Sequence, residues 1–380
     1  MKKIGISTVH TGYNYGSALQ SYATKIFLQK MGYEGEVISL KGSLVKGRDI
    51  RLRKIAVMLG RFILNPQKMK KRAEAYQNNV VSEYSEMTKK YFEKFKEEKI
   101  KPAYYSWSEL KNIARTKEYL AFLCGSDQIW NGDTLYVDPQ YYLRYAPKKK
   151  RIAFAPSFGR EYVADYNKKT IKKYISDFNY LSAREASGVK IIKDLTNLEA
   201  TQILDPTLLV SKDEWLENLE IKKDSKDEKY ILAYFLNDPS DKAKQFINKI
   251  SKEKKLKIVA LPYVREKDGW FDVVKDAGPI EFLSLVRDAE YVCTDSFHGT
   301  AFSINFQVPY YTFERQYGKS AKQSSRIISL LELTNQMERF NPEEDKEVDF
   351  SYSESILKKE REKAKKYLEN ALNQVKIEDE

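Results

Sequence analysis

The segment "CTDSFHGTAFS" (293–303) contains His298, one of only two histidines among 380 residues. An unperturbed imidazole titrates near pH ~6.5, so His298 could act as a general acid or as a cationic group that binds an anion. The alternative is a structural histidine without a chemical role. No second histidine or cysteine stands at ligand spacing, so we predict no metal site. The nearby groups that could assist His298 are Asp295, Ser296, Gly299 and Thr300.

A second stretch, "HTGYNYGSALQSYA" (10–23), connects a strand-like segment to a helical one. Asn14 and Tyr15 lie in the loop, and Gly16 begins the helix. Free amides at a helix N-terminus favour an anion, and the glycines allow a ligand to approach the backbone. The stretch matches neither a Walker motif nor G-x-G-x-x-G, so by itself it is only weak evidence for a binding loop.

A third stretch, "LCGSDQIWNGD" (123–133), follows an apolar segment and places Trp130 after Ser126, Asp127 and Gln128. Small and polar groups followed by an indole resemble a sugar-binding edge, where the ring covers an apolar pyranose face. The alternative is a turn capped by Ser126 or Asp127, with Trp130 in the core. The residues leave both interpretations open.

Two further motifs also end strand-like segments. In "SAREASG" (182–188), Arg184 could clamp a phosphate or carboxylate with two parallel hydrogen bonds, or it could form a salt bridge to Glu185. In "LDPTLL" (204–209), Asp205 precedes a proline, a pattern more typical of a helix cap or turn than of a catalytic acid.

An α/β framework must position these five motifs. Strand-like segments such as 2–8, 118–126, 230–236 and 290–296 alternate with helical patterns along the chain. This alternation predicts parallel sheets covered on both faces, in which ligands bind beyond the carboxyl ends of the strands. We therefore predict an α/β fold of two Rossmann-like, doubly wound domains that face each other across a cleft.

The chain is too long for one ordinary core, which agrees with a division into domains. We predict an N-terminal domain at 1–210, with a basic helical insertion at 41–110, and a C-terminal domain at 211–345. Residues 346–380 contain a long charged helix that we expect to pack across both domains.

The composition predicts a globular, cytoplasmic protein. Hydrophobic residues make up 42% of the chain and aromatic residues 13%, which excludes a disordered protein. The two cysteines, Cys124 and Cys293, argue against a disulfide framework and indicate a reducing compartment. The opening "MKKIGISTVH" has an apolar run too short for a signal peptide, and no segment approaches the ~20 apolar residues of a membrane span.

The net charge of +12 is concentrated in one segment. Between Lys41 and Arg72, eleven Lys and Arg residues face one acid, Asp49, for a net charge of +10 around the apolar patch "IAVMLGRFIL" (55–64). This pattern suits an anionic membrane surface. The alternative is a solvated helical hairpin whose apolar face packs on its own domain. Nucleic acid is disfavoured, because aromatic residues are not interleaved with the basic ones as stacking platforms.

Taken in order, the five motifs resemble the polysaccharide pyruvyl transferase family. The matching segments are "NYGSALQSYA", "GSDQIWN", "SAREASG", "DPTLL" and "TDSFHGTAFSI", and the resemblance spans about residues 4–335. It implies a GT-B-like fold, with the acceptor on the N-terminal domain and the donor on the C-terminal one. It also implies transfer of an enolpyruvyl group from phosphoenolpyruvate to a saccharide, as a pyruvate ketal. Phosphoenolpyruvate is then a co-substrate, and no cofactor is expected.

The resemblance also implies roles for individual residues. His298 would protonate the donor or hold its leaving phosphate, and Asp295 or Asp127 would serve as the base. The implied donor-binding residues are Arg184, Ser296, His298, Gly299 and Thr300. The implied acceptor-binding residues are Asn14, Tyr15, Gly16, Ser126, Asp127, Gln128 and Trp130.

One departure concerns the donor site. Many family members carry Arg-Leu-His where this chain has Ser296-Phe297-His298, so one arginine is missing. We hypothesise that Arg326 or Arg315 replaces it.

Two other functions stay open from the sequence: a GT-B-type glycosyltransferase that uses a nucleotide-sugar, and a non-catalytic saccharide-binding relative. If the family assignment holds, we expect a lipid-linked acceptor of capsule or exopolysaccharide synthesis. The 41–72 segment would then hold the protein at the inner membrane face.

Overall fold

The computed structural model describes residues 1–41, 44–45, 48–49, 51–64, 66–67, 70, 84–221, 228–261, 269–315 and 325–379. Its two halves are each built on a five-stranded sheet in which every neighbouring pair is parallel. The predicted α/β fold of two Rossmann-like domains in a GT-B-like arrangement is confirmed.

The N-terminal half has a main sheet and a short extension. In chain order its elements are β1 (Lys2–Ser7), α1 (Tyr15–Lys30), β2 (Tyr33–Leu40), β3 (Leu44–Val45), β4 (Arg48–Asp49), α2 (Leu52–Leu64), α3 (Glu86–Phe95), a π-helical turn (Lys96–Ile100), β5 (Ala103–Tyr105), α4 (Trp107–Ile113), β6 (Tyr119–Gly125), β7 (Arg151–Phe154), α5 (Asp165–Ile175), β8 (Ser182–Ala183), α6 (Ala186–Thr196), β9 (Thr201–Gln202), α7 (Pro206–Leu209) and α8 (Lys212–Asn218). The main sheet has the order β5-β2-β1-β6-β7. The β8–β9 pair adjoins β7 through a bridge between Ile152 and Tyr180.

The C-terminal half repeats the same strand order. Its elements are β10 (Tyr230–Tyr234), α9 (Asp241–Lys254), β11 (Lys257–Ala260), β12 (Val273–Val274), α10 (Pro279–Asp288), β13 (Tyr291–Thr294), α11 (Phe297–Phe306), β14 (Tyr310–Thr312), α12 (Ser325–Leu333) and α13 (Ser351–Asp379). The sheet runs β12-β11-β10-β13-β14. In both sheets the winding direction reverses beside the first strand, between β1 and β6 and between β10 and β13. Ligands of doubly wound sheets bind at such switch points.

Apolar pairing across the strands explains why both sheets are buried. Ile6 on β1 lies opposite Val37 on β2 and Leu123 on β6, and all three side chains are fully buried. A sheet that is covered on both faces needs apolar residues at successive positions rather than at alternate ones. Because of these successive apolar residues, the strands can be predicted from the sequence as short apolar runs.

The two halves share one continuous hydrophobic core. Tyr15 at the start of α1 stacks on Phe282 of α10 at a ring distance of 4.7 Å, and its hydroxyl donates to the carbonyl of Ala277 at 3.0 Å. The long helix α13 contacts both halves: Tyr367 donates to the carbonyl of Ala153 on β7, and Gln307 at the end of α11 donates to Glu354. Among the described residues, no helix is long and apolar enough to cross a membrane.

The predicted insertion at 41–110 differs from the structure in one respect. Strand β5 pairs with β2 and forms the edge of the main sheet, so the prediction of a helical insertion as far as residue 110 is wrong. A strand of three residues is too short to show a periodic pattern. Helices α2 and α3 do occur within the segment. Its residues 42–43, 46–47, 50, 65, 68–69 and 71–83 lie outside the described residues.

Candidate active site

The two switch points meet in the cleft, and His298 lies where they meet. It is in the first turn of α11, which follows β13, and only 6% of its surface is exposed. Gly16, at the start of α1 in the other half, contacts the imidazole ring. His298 Nε2 lies 3.8 Å from Asp205 Oδ2, and in the described part of the chain it has no hydrogen-bond partner. One motif from each half therefore contributes to a single buried site.

The start of α11 is fixed by local hydrogen bonds. Ser296 caps the helix through its hydroxyl, which accepts from the Gly299 amide at 3.4 Å. Thr294 holds the turn by accepting from the Ser296 amide at 3.0 Å. A Cβ on residue 299 would lie 2.5 Å from Thr294 Oγ1, so glycine is needed for the helix to pack this close to the strand end. These contacts fix the backbone that presents His298.

Arg184 and Asp205 form a buried ion pair beside His298. Arg184 Nη1 donates to Asp205 Oδ2 at 2.5 Å, and its Nε donates to Glu185 Oε1 at 2.9 Å. Asp205 Oδ2 also accepts from the Ser126 hydroxyl at 2.8 Å. Burial alone would raise the pKa of Asp205, but Arg184 and His298 hold it at about 2, so the carboxyl is ionised at neutral pH. Arg184 Nη2 has no hydrogen-bond partner among the residues described.

Arg326 on α12 completes the group of cations. The side-chain amide oxygen of Gln128 faces Arg326 and accepts hydrogen bonds from its Nη1 at 3.1 Å and from its Nη2 at 2.7 Å. The ring of Phe297 lies 4.7 Å from the guanidinium carbon of Arg184 and 5.9 Å from that of Arg326. Burial and the charge of Arg184 lower the pKa of Arg326 to about 10. Within the described ranges, Arg326 Nε has no hydrogen-bond partner.

Asp127 faces these cations from the end of β6. It has a left-handed backbone with φ of 57°, and its Oδ2 accepts from the Ser17 hydroxyl at 2.6 Å. Asn14, the cap of α1, accepts from the amide of Ser17 at 3.0 Å and so orients that serine. Burial works against ionisation, yet His298 and Arg184 lower the pKa of Asp127 below its ordinary value. Asp127 is therefore an ionised carboxylate, suited to accept a proton.

Burial sets the protonation state of His298. It lowers the pKa of the imidazole below its ordinary value, and the positive charges of Arg184 and Arg326 act in the same direction. The carboxylates of Asp205 and Asp127 oppose this shift only in part. The imidazole is therefore neutral at neutral pH.

The arrangement is suited to an anion. Arg184 and Arg326 are buried close enough that the charge of Arg184 lowers the pKa of Arg326, and the carboxylates of Glu185 and Asp127 oppose that shift only in part. Arg184, Arg326 and His298 each keep one nitrogen that no described residue satisfies. In the described part of the chain, no group of three or more His, Cys, Asp or Glu side chains could hold a metal ion.

Two of the predicted acceptor residues lie in the core. Trp130 is fully buried, stacks on Tyr142 at a ring distance of 5.2 Å, and donates from Nε1 to the carbonyl of Tyr141. It has no free face for a sugar, so its prediction as an acceptor residue is wrong. Tyr15 is also fully buried, in the contact between the two halves, and the same correction applies.

Other predicted residues have structural contacts of their own. Asp295 accepts from the amides of Leu236 and Asn237, and from Arg315 Nε at 3.2 Å. Its carboxylate therefore fixes the loop after β10 and pairs with Arg315. Arg315 binds Asp295, so of the two candidate arginines the structure brings only Arg326 to Arg184.

Thr300 and Gly16, which the sequence predicts to contact a ligand, make contacts within the protein. Thr300 is fully buried and donates to the carbonyl of Ser296 at 3.0 Å, so its hydroxyl has a partner within α11. Gly16 lies against the ring of His298, so its missing side chain makes room for the histidine and not for an acceptor. The remaining histidine, His10, donates from Nδ1 to the carbonyl of Thr8.

Sequence analysis missed several polar residues of the site. Asp205 was interpreted as a cap, and it does accept from the amide of Thr207 at 3.0 Å, but its second oxygen binds Arg184. Ser17 binds Asp127, and Ser157 donates to Glu185 at 2.6 Å. The only available signal was position, because each of these residues follows or begins an element at the carboxyl edge of a sheet.

The fold and the site define a two-domain α/β protein with a buried group of charged side chains where the two halves meet. The chain belongs to the polysaccharide pyruvyl transferase family, whose family model matches residues 14–317. The family implies a transferase. No curated protein matches the chain.

Several solved structures are similar in fold. UDP-GlcNAc 2-epimerase from Neisseria meningitidis, bound to UDP-GlcNAc, is 9% identical with a TM-score of 0.47, and the match covers 99% of this chain and 94% of that one. The S. aureus MnaA–UDP structure is 12% identical with a TM-score of 0.46, covering 99% and 90%. The glycosyltransferase SnogD from Streptomyces nogalater is 11% identical with a TM-score of 0.42, covering 99% of both chains. Likenesses this distant carry no argument about activity.

Proposed function

We propose that this protein transfers an enolpyruvyl group from phosphoenolpyruvate to two hydroxyls of a saccharide and releases phosphate. The observation that carries the proposal is the group of three buried nitrogens on Arg184, Arg326 and His298 that no described residue satisfies. Phosphoenolpyruvate carries a carboxylate and a phosphate, and guanidinium groups bind both with charge-assisted hydrogen bonds. Membership of the family supports the same donor.

The residues of the cleft supply the acid and the base that the reaction needs. Protonation of carbon 3 of the donor makes a methyl group and leaves carbon 2 electrophilic. One sugar hydroxyl adds to carbon 2, the bond to the phosphate oxygen breaks, and the second hydroxyl closes the ketal. The two hydroxyls lose two protons in total: carbon 3 gains one, and the departing phosphate gains the other.

His298 and Asp127 are the groups we assign to these proton transfers. Neutral His298 becomes a general acid when the charge of the donor raises its pKa and it takes up a proton. Asp127 lies on the opposite, N-terminal side of the cleft and is ionised, so it can accept a proton from a sugar hydroxyl. We propose that the acceptor is a lipid-linked saccharide that enters from this side.

Calorimetric binding of phosphoenolpyruvate to the purified protein tests the donor. We expect saturable binding that Arg326→Ala, His298→Ala and Arg184→Lys each weaken by about 10- to 100-fold, the usual range for a lost hydrogen bond to a charged group. Arg115→Ala is the control, because Arg115 is an exposed arginine whose side chain donates to the carbonyl of Lys111 at 3.1 Å. Thermal unfolding of each variant shows whether the fold is intact.

A nucleotide-sugar is the rival ligand in the same experiment. Binding of a uridine nucleotide-sugar, with none of phosphoenolpyruvate, would refute the proposal and favour a glycosyltransferase. Equal weakening by Arg115→Ala and Arg326→Ala would also count against it, since the assigned arginine would then have no special role.

A further inference from the structure

Helix α2 (Leu52–Leu64) presents an apolar face to solvent. Leu52, Ile55, Leu59 and Ile63 are 85%, 40%, 59% and 79% exposed, and their spacing of three or four residues places them on one side of the helix. The stripe is about 16 Å long at the usual rise per residue. A soluble helix normally turns such a stripe toward its own core, so this orientation requires an explanation.

The opposite side of α2 is fixed to the N-terminal half through Arg61, and Arg51 just before the helix adds a further bond. Arg61 donates to the carbonyl of Leu135 at 2.6 Å and to Asn167 Oδ1 at 2.7 Å, and its guanidinium lies 4.9 Å from the ring of Tyr166. Arg51 donates to Asp138 Oδ1 at 3.0 Å. These bonds hold the helix with Arg61 inward and its apolar stripe outward.

These contacts limit which basic residues of the 41–72 segment could face a membrane. Arg51 and Arg61 bind within the protein, so they are unavailable to lipid. The apolar stripe is instead the outward surface, and further basic residues follow it in the sequence, including Lys70, which is exposed.

We propose that the apolar stripe of α2 inserts into the surface of an anionic bilayer. Apart from Arg51 and Arg61, nine Lys and Arg residues and one acid lie between residues 41 and 72, and this positive excess complements anionic headgroups. The stripe supplies the side chains that enter the acyl boundary. A second copy of the chain fits less well, because a two-fold contact through α2 would bring two such segments together. The surface is independent of the choice of donor.

The position of α2 connects this surface to the cleft. Leu135 and Asp138, which α2 contacts, belong to the segment that starts with Ser126 and Asp127 at the end of β6. Membrane binding through α2 therefore brings the acceptor side of the cleft close to a lipid-linked saccharide, and this step rests on the proposed function.

Vesicle sedimentation at physiological salt tests the proposal with the full chain. We expect binding to phosphatidylglycerol vesicles and little to phosphatidylcholine vesicles. The double variant Leu59→Glu/Ile63→Glu should bind at least tenfold more weakly. The control is Met87→Glu/Tyr352→Glu, which adds the same charge at two exposed apolar residues outside α2 and should bind almost as tightly as the parent.

A second variant guards against loss of folding. Leu59→Trp should gain quenching by lipids brominated on their acyl chains, beyond the quenching of the parent. Equal vesicle binding by the Leu59→Glu/Ile63→Glu variant would overturn the proposal. A concentration-dependent dimer in light scattering that this variant abolishes would overturn it as well.

Calorimetry separates this proposal from the assignment of the donor. The α2 variants should bind phosphoenolpyruvate like the parent. A parent that binds vesicles but not phosphoenolpyruvate would refute the donor and leave the membrane surface standing.

Discussion

Gly16 and His298 lie in different halves of the molecule, and the imidazole occupies the space that a side chain on residue 16 would need. A Cβ at position 16 would lie 1.9 Å from His298 Nδ1, well inside van der Waals contact. The first turn of α1 therefore closes directly onto the first turn of α11. The site forms only when the two halves are packed as they are here.

This contact predicts the effect of Gly16→Ala. Alanine favours a helix over glycine by up to about 1 kcal/mol, so local propensity alone would stabilise the protein. We expect the opposite sign, because the methyl group must displace His298 or separate the two halves. Thermal unfolding and calorimetric donor binding measure both effects. Gly60→Ala on α2 is the control, since a Cβ there meets no atom within 4 Å. Tight donor binding by Gly16→Ala would contradict the prediction.

Replacing Asp205 by Asn should destabilise the fold. Arg184 would lose one of its two buried carboxylate partners and keep Glu185. Breaking a buried ion pair typically costs about 3 to 5 kcal/mol, which is the upper end expected here because Glu185 remains. Urea unfolding at neutral pH measures the loss. Lys193→Ala, which removes a surface ion pair to Glu199, is the control and should change the unfolding free energy by less than about 1 kcal/mol.

The same carboxyl predicts a pH dependence of stability. The pKa of Asp205 is about 2 in the folded protein, below its ordinary value of 3.8. Its contribution is therefore complete above about pH 4 and is lost as the pH falls toward 2. The unfolding free energy of Asp205→Asn should depend less on pH across that window than that of the parent. Parallel pH curves for the two proteins would argue against the ion pair.

Donor binding should be coupled to proton uptake at His298. The pKa of His298 is lowered by burial in the unliganded site, and an anionic ligand beside it raises that pKa. Calorimetry of phosphoenolpyruvate binding in buffers of different ionisation enthalpy measures the protons taken up. At a pH just above the lowered pKa of His298, we expect the parent to take up protons when it binds the donor. The His298→Gln variant should show no such proton uptake. Equal uptake by the parent and His298→Gln would assign the proton to another group.

Trp130→Ala tests whether the indole belongs to the core. Removing a fully buried tryptophan creates a cavity, and we expect a loss of about 3 to 5 kcal/mol in urea unfolding. Trp130→Phe should lose less, because a ring would still stack on Tyr142. Unchanged stability with weaker saccharide binding would instead restore the acceptor role predicted from the sequence.

The sequence alone determined the fold class and the edge on which the site lies. Strands that are buried on both faces must be apolar at successive positions. Segments such as 2–8 and 118–126 can therefore be predicted as strands from their own residues alone, and β1 and β6 lie there. Polar motifs after such strands must gather at the carboxyl edge of the sheet. His298, Arg184 and Asp127 were found for that reason.

Only the tertiary structure decided which side chains meet. Arg326 lies more than a hundred residues from Arg184 in the chain, and both approach Phe297 because α12 packs against the cleft. The same applies to Trp130, which turns into the core, and to Arg61 on α2, whose partners come from a different segment. A local pattern specifies the conformation of a segment, whereas the partner of a side chain depends on residues distant in sequence that packing brings into contact.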